Sequence, residues 1–146
     1  GIRTSPLDQA QWLDLLFAEV VQPALPGEHL TVVYDFLPEQ AALARIRPGE
    51  EPVAERFEVF LGQMELANGY QELTDADEQL QRFEREVRLR KLRGEEASPI
   101  DTRLIAALRQ GLPECSGVAL GVDRLLMSIL KLERIDAVLA FDLGRI

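Results

Sequence analysis

Residues 54–73 read AERFEVFLGQMELANGYQEL, and this stretch decides the fold. Aromatic and β-branched residues interleave with glutamates on both sides of Gly62, the pattern of an antiparallel hairpin. A loop centred between Leu61 and Gly62 places Phe60 opposite Gln63, Val59 opposite Met64 and Glu58 opposite Glu65. A two-residue primed turn would want Asn or Gly where Leu61 stands, so a longer loop on the same centre is expected, keeping the last two pairings. Glu58 and Glu65 then face each other on one side of the sheet. Like charges in that position are destabilising unless solvent, an arginine or a divalent cation intervenes. Carboxylates bridged through Mg²⁺ to a phosphate are one use of such a pair. Ordinary surface glutamates are the competing reading. Further along, Asn68, Tyr70 and Glu72 share a face by alternation, whereas Glu65 has the opposite parity. A bulge over residues 67–69, where Gly69 suits it, would bring all of them to one side. That face would offer an amide, a phenol and carboxylates to an ammonium-bearing ligand. A twisted edge strand with a polar outer face explains the same residues.

Upstream, residues 5–21 read as a helix capped by Ser5, with Pro6 in its first turn. Leu7, Trp12, Leu15, Leu16, Val20 and Val21 fall near one stripe, and Pro23, Pro26 and Gly27 stop it. Residues 30–36 (LTVVYDF) form a short, almost continuously apolar strand, expected to be buried on both faces. Residues 41–46 fit a second short strand or an extended segment, and 47–52 a turn-rich loop. Downstream, residues 74–93 form a long charged helix. Asp75 and Glu78 make its capping box, Leu80, Phe83 and Val87 its narrow apolar stripe, and Gly94 ends it. Asp101 caps a shorter helix that closes at Gly111 and Pro113. A small-residue strand follows over 116–121 (SGVALG), running straight into an apolar helix over 122–132, and 135–141 supplies a last apolar stretch.

The junction Ser116-Gly117-Val118-Ala119-Leu120-Gly121-Val122-Asp123-Arg124 carries its own signal. Gly117 and Gly121 leave strand surface uncovered, so a flat ring or a phosphate could approach the backbone. Arg124 sits at a helix start, where the dipole prefers acids, which suggests an external anion. Tight strand–helix packing accounts for the glycines equally well; they form neither the dinucleotide fingerprint nor a P-loop. The arginines of 74–93, interleaved with Glu84 and Glu86, read as a solvated, salt-bridged face. Cys115 and His29 read as packing residues.

Composition narrows the chemistry. The 146 residues are 47% hydrophobic and 28% charged, within the range of an ordinary globular domain. Sixteen Lys and Arg against 25 Asp and Glu give a net charge of −9, which disfavours binding a phosphate backbone by charge alone. One cysteine and one histidine leave no disulfide framework, no multi-cysteine zinc site and almost no room for imidazole-based catalysis. No apolar run is long enough to span a bilayer and no signal peptide opens the chain, so a cytoplasmic protein using carboxylates, arginines and metal ions is expected.

Read together, these segments resemble the catalytic domain of the class II lysyl-tRNA synthetases. GVALGVDRLLM resembles class II motif 3, and ERFEVFLGQMELANGYQELTDADEQLQRFE resembles the lysine-pocket segment before it. The likeness runs from residue 30 to the C-terminus. VYDFLPEQAALARI, VAERFE, ELANGYQELTD and CSGVALGVDR are nearer still to the bacterial paralogues that lysylate elongation factor P, as is Ala119, where the tRNA synthetases typically carry glycine.

The resemblance implies an α+β fold, a class II antiparallel sheet flanked by helices. It implies ATP-dependent activation of lysine or β-lysine as an aminoacyl-adenylate, followed by transfer to a lysine of elongation factor P. Position by position, Glu58 and Glu65 match the family's Mg²⁺- and ATP-associated acids, Glu65 also facing the amino acid. Asn68, Tyr70, Glu72 and Ala119 match the lysine-binding residues. Gly117 and Gly121 match the open strand beneath ATP, and Arg124 the catalytic motif 3 arginine. Nothing before residue 30 resembles motif 1 or motif 2. Residues 1–146 are therefore expected to be the C-terminal portion of a catalytic domain, incomplete and inactive alone, from an enzyme that is a homodimer at full length. Two alternatives stand beside this reading: a lysyl-tRNA synthetase that charges tRNA-Lys, and a non-catalytic binding module of the same fold.

Overall fold

The computed structural model describes residues 7–141 and Gly144. A five-stranded antiparallel sheet forms its centre, built from β1 (Leu30–Phe36), β2 (Ile46–Arg47), β3 (Val53–Leu61), β4 (Met64–Gln71) and β5 (Ser116–Leu120). The path runs β1-β3-β4-β5, and β2 pairs with the first residues of β3. Among the described residues four α-helices flank it: α1 (Gln9–Leu16), α2 (Ala76–Arg93), α3 (Thr102–Gln110) and α4 (Val122–Leu130). This is the expected α+β architecture.

The β3–β4 hairpin forms with a different centre from the expected one. Leu61 pairs with Met64 and Phe60 with Glu65, so the loop is the two residues Gly62 and Gln63. Gly62 takes φ 56° at the first loop position, where a two-residue hairpin turn wants glycine. Placing the turn glycine first in the loop moves the register by two residues and a bulge adds a third, so Glu58 pairs with Asn68 rather than Glu65. The expected bulge exists but sits earlier, where Val59 and Phe60 face Ala67 and Glu65 of β4, with Leu66 as the extra residue. Gly69 is not part of it. A Cβ there would stand 2.5 Å from Phe57 Cζ and 2.8 Å from the Gly117 carbonyl oxygen, so packing dictates that glycine.

The upstream elements also differ from expectation. Ser5 and Pro6 lie outside the described residues. Helix α1 begins instead at Asp8, whose carboxylate accepts from the Gln11 amide while Gln11 Oε1 accepts from the Asp8 amide, a complete capping box. A π turn (Phe17–Val21) and a 3₁₀ turn (Gln22–Ala24) carry the helical path past Pro23. The apolar stripe is not buried: Trp12, Leu15, Leu16, Val20 and Val21 are exposed. Phe17 is the anchor, its ring 5.6 Å from that of buried Phe60. Strand β1 has β3 as its one long neighbour among the described residues, and its side chains alternate: Thr31 and Val33 are half-buried while Leu30, Val32 and Tyr34, on the other face, are exposed. The open segment 41–46 resolves into a chain that bridges Ala44 to Glu72 and ends in β2.

The downstream elements follow the sequence closely. Asp75 caps α2 by accepting from the Asp77 and Glu78 amides, and Gly94 ends it in the left-handed region at φ 73°. The Glu78 carboxylate turns to Arg82 instead of back to the cap. Arg82, Arg90 and Arg93 of α2 find Glu78, Glu95 and Asp8 rather than Glu84 or Glu86. Asp101 caps α3, and Gly121, expected within the strand, is the residue that precedes α4. Ala41, Ala44 and Ala54 form a core of small residues against Phe36, Ile46 and Tyr70. Arg82 locks α2 to it by donating to the carbonyls of Ala42 (3.1 Å) and Ala44 (2.8 Å).

Candidate active site

Directly opposed residues of antiparallel strands share a sheet face, so the pairings define one. Arg56↔Tyr70, Glu58↔Asn68 and Phe60↔Glu65 join β3 to β4, while Asn68↔Ala119 and Tyr70↔Gly117 join β4 to β5. The extra residue at Leu66 restores Glu65 to the side of Asn68 and Tyr70. One face therefore holds Glu58, Glu65, Asn68, Tyr70, Gly117 and Ala119. Glu72 joins them from the end of β4, its carboxylate lying so close over Gly117 that a Cβ there would collide with Glu72 Oε1. A glycine is needed at 117 for that carboxylate to lie flat on the strand.

The carboxylates on this face differ in their partners. Glu58 pairs with Arg56 and accepts from Asn68 Nδ2 at 3.2 Å. Burial pushes its carboxyl above the ordinary value; the neighbouring Arg56 cation opposes the rise, and Glu65 adds to it. Glu58 and Glu65 are thus electrostatic neighbours although they do not share a rung. Glu65 lies 3.8 Å from Arg124 Nη1, which also donates to the Glu65 carbonyl at 2.9 Å. Arg124 sits in the first turn of α4, half-exposed. The Glu72 side chain has neither hydrogen-bond nor ion-pair partner among the described residues.

The glycine strand differs from the open surface expected of it, because Glu72 lies over Gly117 and the Arg124 stem over Gly121. Gly121 donates its amide to the Leu66 carbonyl at 2.8 Å, and a Cβ there would touch Arg124 Cδ at 3.4 Å, so Gly121 lies beneath the arginine's stem. Ala119 is exposed on β5. The residue that sequence reasoning passed over is Arg56. It carries no motif of its own, and the signal available was the arginine beside a glutamate two residues on, which puts both on one strand face.

A metal site made by protein alone is not present: among the described residues no cluster of three or more His, Cys, Asp or Glu could hold an ion. Glu58 and Glu65 supply two carboxylates on one face. Mg²⁺ commonly takes such a pair only together with substrate phosphates and water.

This geometry and the order of its elements define a class. The chain belongs to the class II tRNA synthetases of the D, K and N group, whose family model matches residues 24–143. Among its relatives are the elongation factor P–(R)-β-lysine ligases of Yersinia pestis (strain Pestoides F) and Yersinia pseudotuberculosis serotype O:1b (strain IP 31758). Each is 54% identical over 137 residues, covering 94% of this chain and 42% of the relative. The chain thus spans less than half the length of these relatives.

Proposed function

We propose that this chain is the C-terminal portion of the catalytic domain of an elongation factor P lysine ligase, a cytoplasmic homodimer at the length of its relatives. The observation that carries the reading is the unpartnered carboxylate of Glu72, lying over Gly117 on a face whose other glutamates each have an arginine. A half-buried carboxylate without a partner is costly, and a ligand ammonium group offsets that cost. Lysine or β-lysine brings such a group. Glu72 takes the ammonium, Asn68 and Tyr70 line the aliphatic chain, and Ala119 and Gly117 floor the pocket. Glu65 closes it toward Arg124.

Arg124, half-exposed at the head of α4, lies against the ATP phosphates and stabilises charge there as pyrophosphate leaves. Glu58 and Glu65, with phosphate oxygens, would hold Mg²⁺, which supplies further charge neutralisation. The substrate carboxylate attacks the α-phosphorus to give the aminoacyl-adenylate. An ε-amine of elongation factor P then attacks the carbonyl and AMP leaves. The 146 residues alone are inactive in this scheme, since motifs 1 and 2 belong elsewhere.

The test is ATP–pyrophosphate exchange with lysine and β-lysine by the protein at the length of its relatives, followed by acceptor assays. Exchange with either amino acid and transfer to elongation factor P are expected. Transfer to tRNA-Lys instead would assign the protein to the tRNA-charging branch. The absence of exchange with both amino acids would sink the reading, and exchange at full rate by the 146-residue chain would refute its inactivity.

A further inference from the structure

Arg56 has a dense set of contacts on the site face. Its Nη2 donates to Glu58 Oε1, its Nε to Asn68 Oδ1 at 3.4 Å and its Nη1 to the Gln40 carbonyl at 2.8 Å. The guanidinium carbon lies 4.6 Å from the centre of the Phe36 ring and 5.9 Å from that of Tyr70. Only 18% of the side chain is exposed. A planar fork held by acceptors along its edge and flanked by rings has little freedom, and a lysine could not reproduce it.

This placement fixes Asn68 as well. The amide has two different ends, and with Oδ1 toward Arg56 and Nδ2 toward Glu58 only one orientation satisfies both neighbours. The reverse orientation would set NH₂ against guanidinium and oxygen against carboxylate. Glu58 Oε1, held by Arg56 and Asn68 together, is closed to the substrate's ammonium group, and Oε2 is the oxygen left for Mg²⁺. Arg56 thereby decides which glutamate stays free.

We propose that Arg56 is a positioning residue for the amino-acid pocket: it orients the Asn68 amide and occupies Glu58, so that Glu72 is the carboxylate left to receive the substrate's ammonium group. The inference deepens the lysine-ligase reading and rests on it for the identity of the substrate.

The experiment compares wild type, Arg56→Met and Arg56→Lys in the protein at the length of its relatives. The side-chain amide resonances of ¹⁵N-labelled Asn68 report the orientation, and pyrophosphate exchange gives kcat and separate KM values for amino acid and ATP. In Arg56→Met the Asn68 resonances should move, and the amino-acid KM should rise about tenfold to a hundredfold, with the ATP KM nearly unchanged. Arg56→Lys should recover the pairing with Glu58 but not the Asn68 resonances, and should fall between the two in KM. Unmoved Asn68 resonances overturn the proposal, as does a parallel loss in kcat and both KM values, which would mark Arg56 as merely structural. A wild type that exchanges normally while Arg56→Met keeps its amino-acid KM overturns Arg56 alone. A wild type with no exchange overturns the substrate reading, and with it the ligand assigned here.

Discussion

Glu58 and Glu72 stand on neighbouring strands of one sheet face and differ in nearly everything around them. Glu58 is held by Arg56 and Asn68, its side chain 12% exposed. Glu72 is half-buried without a charged partner among the described residues, over a strand surface that Gly117 keeps bare. The first is a group whose charge is met by an arginine and an amide of its own sheet face. The second is a charge that no cation offsets among the described residues. The contrast teaches that acidic residues on one face can have different roles. Partners, not residue type, separate the wall of a pocket from its recognition group.

The largest effect should come from breaking the open side. Glu72→Gln keeps the shape and removes the charge, leaving a bound ammonium without its counter-ion, so about 2–5 kcal/mol of amino-acid binding is lost. Exchange kinetics would show this in the amino-acid terms, while thermal stability stays level because no internal pair is lost. A stability loss as large as the binding loss would mean that Glu72 is structural and that the contrast with Glu58 is false.

Two glycines on adjoining strands sharpen the comparison next. Gly69→Ala drives a methyl into the Phe57 ring and the Gly117 carbonyl, neither of which can yield easily. About 1–3 kcal/mol of stability should be lost, as for other overpacked sites, and a denaturant midpoint measures it. Gly117→Ala meets the Glu72 carboxylate, the end of a flexible side chain. It should leave stability nearly intact and weaken amino-acid binding by displacing Glu72. A reversal of these two outcomes would exchange the roles assigned to the two strands.

These contrasts explain what the sequence made legible. Helix starts were readable where a side chain caps locally: Asp75 and Asp101 act within three residues of themselves. The hairpin was readable because its pattern is local, but its register turned on one position, whether Gly62 comes first or second in the loop. That choice moved Glu58 off Glu65 to the level of Ala67, and the extra residue at Leu66 carried it on to Asn68. The shared face survived because the bulge at Leu66 made up the parity. Exposure was the least legible quantity. The apolar runs of α1 and β1 promised burial, yet burial depends on which strands and helices lie alongside, and β1 has one long neighbour among the described residues. Arg56 offered only Glu58 two residues on as a local signal, since its other partners Gln40, Asn68 and Phe36 are far away in sequence.

A smaller effect is expected at Ala119, opposite Asn68 on β5. Ala119→Gly deletes one methyl from the proposed pocket floor, worth about 1–3 kcal/mol of discrimination at most. The preference between lysine and β-lysine should shift toward lysine, read as the ratio of the two kcat/KM values. An unchanged ratio would make the methyl a packing group outside the recognition surface.

The smallest effect tests the closed side through pH. Burial is the main cause that lifts the Glu58 carboxyl above its ordinary 4.5; Arg56 pulls the other way and Glu65 pushes with burial. A raised value in the folded state means that folding favours the protonated acid. The stabilisation from that proton is complete below pH 4.5 and is lost as pH rises through the higher folded value. Wild type should therefore lose stability relative to Glu58→Gln over that window and run parallel to it at higher pH, which paired thermal melts across pH will show. A margin that instead grows with pH would mean that the Arg56 cation outweighs burial. Glu58 would then be more firmly ionised than its surroundings indicate, and further still from the open state of Glu72.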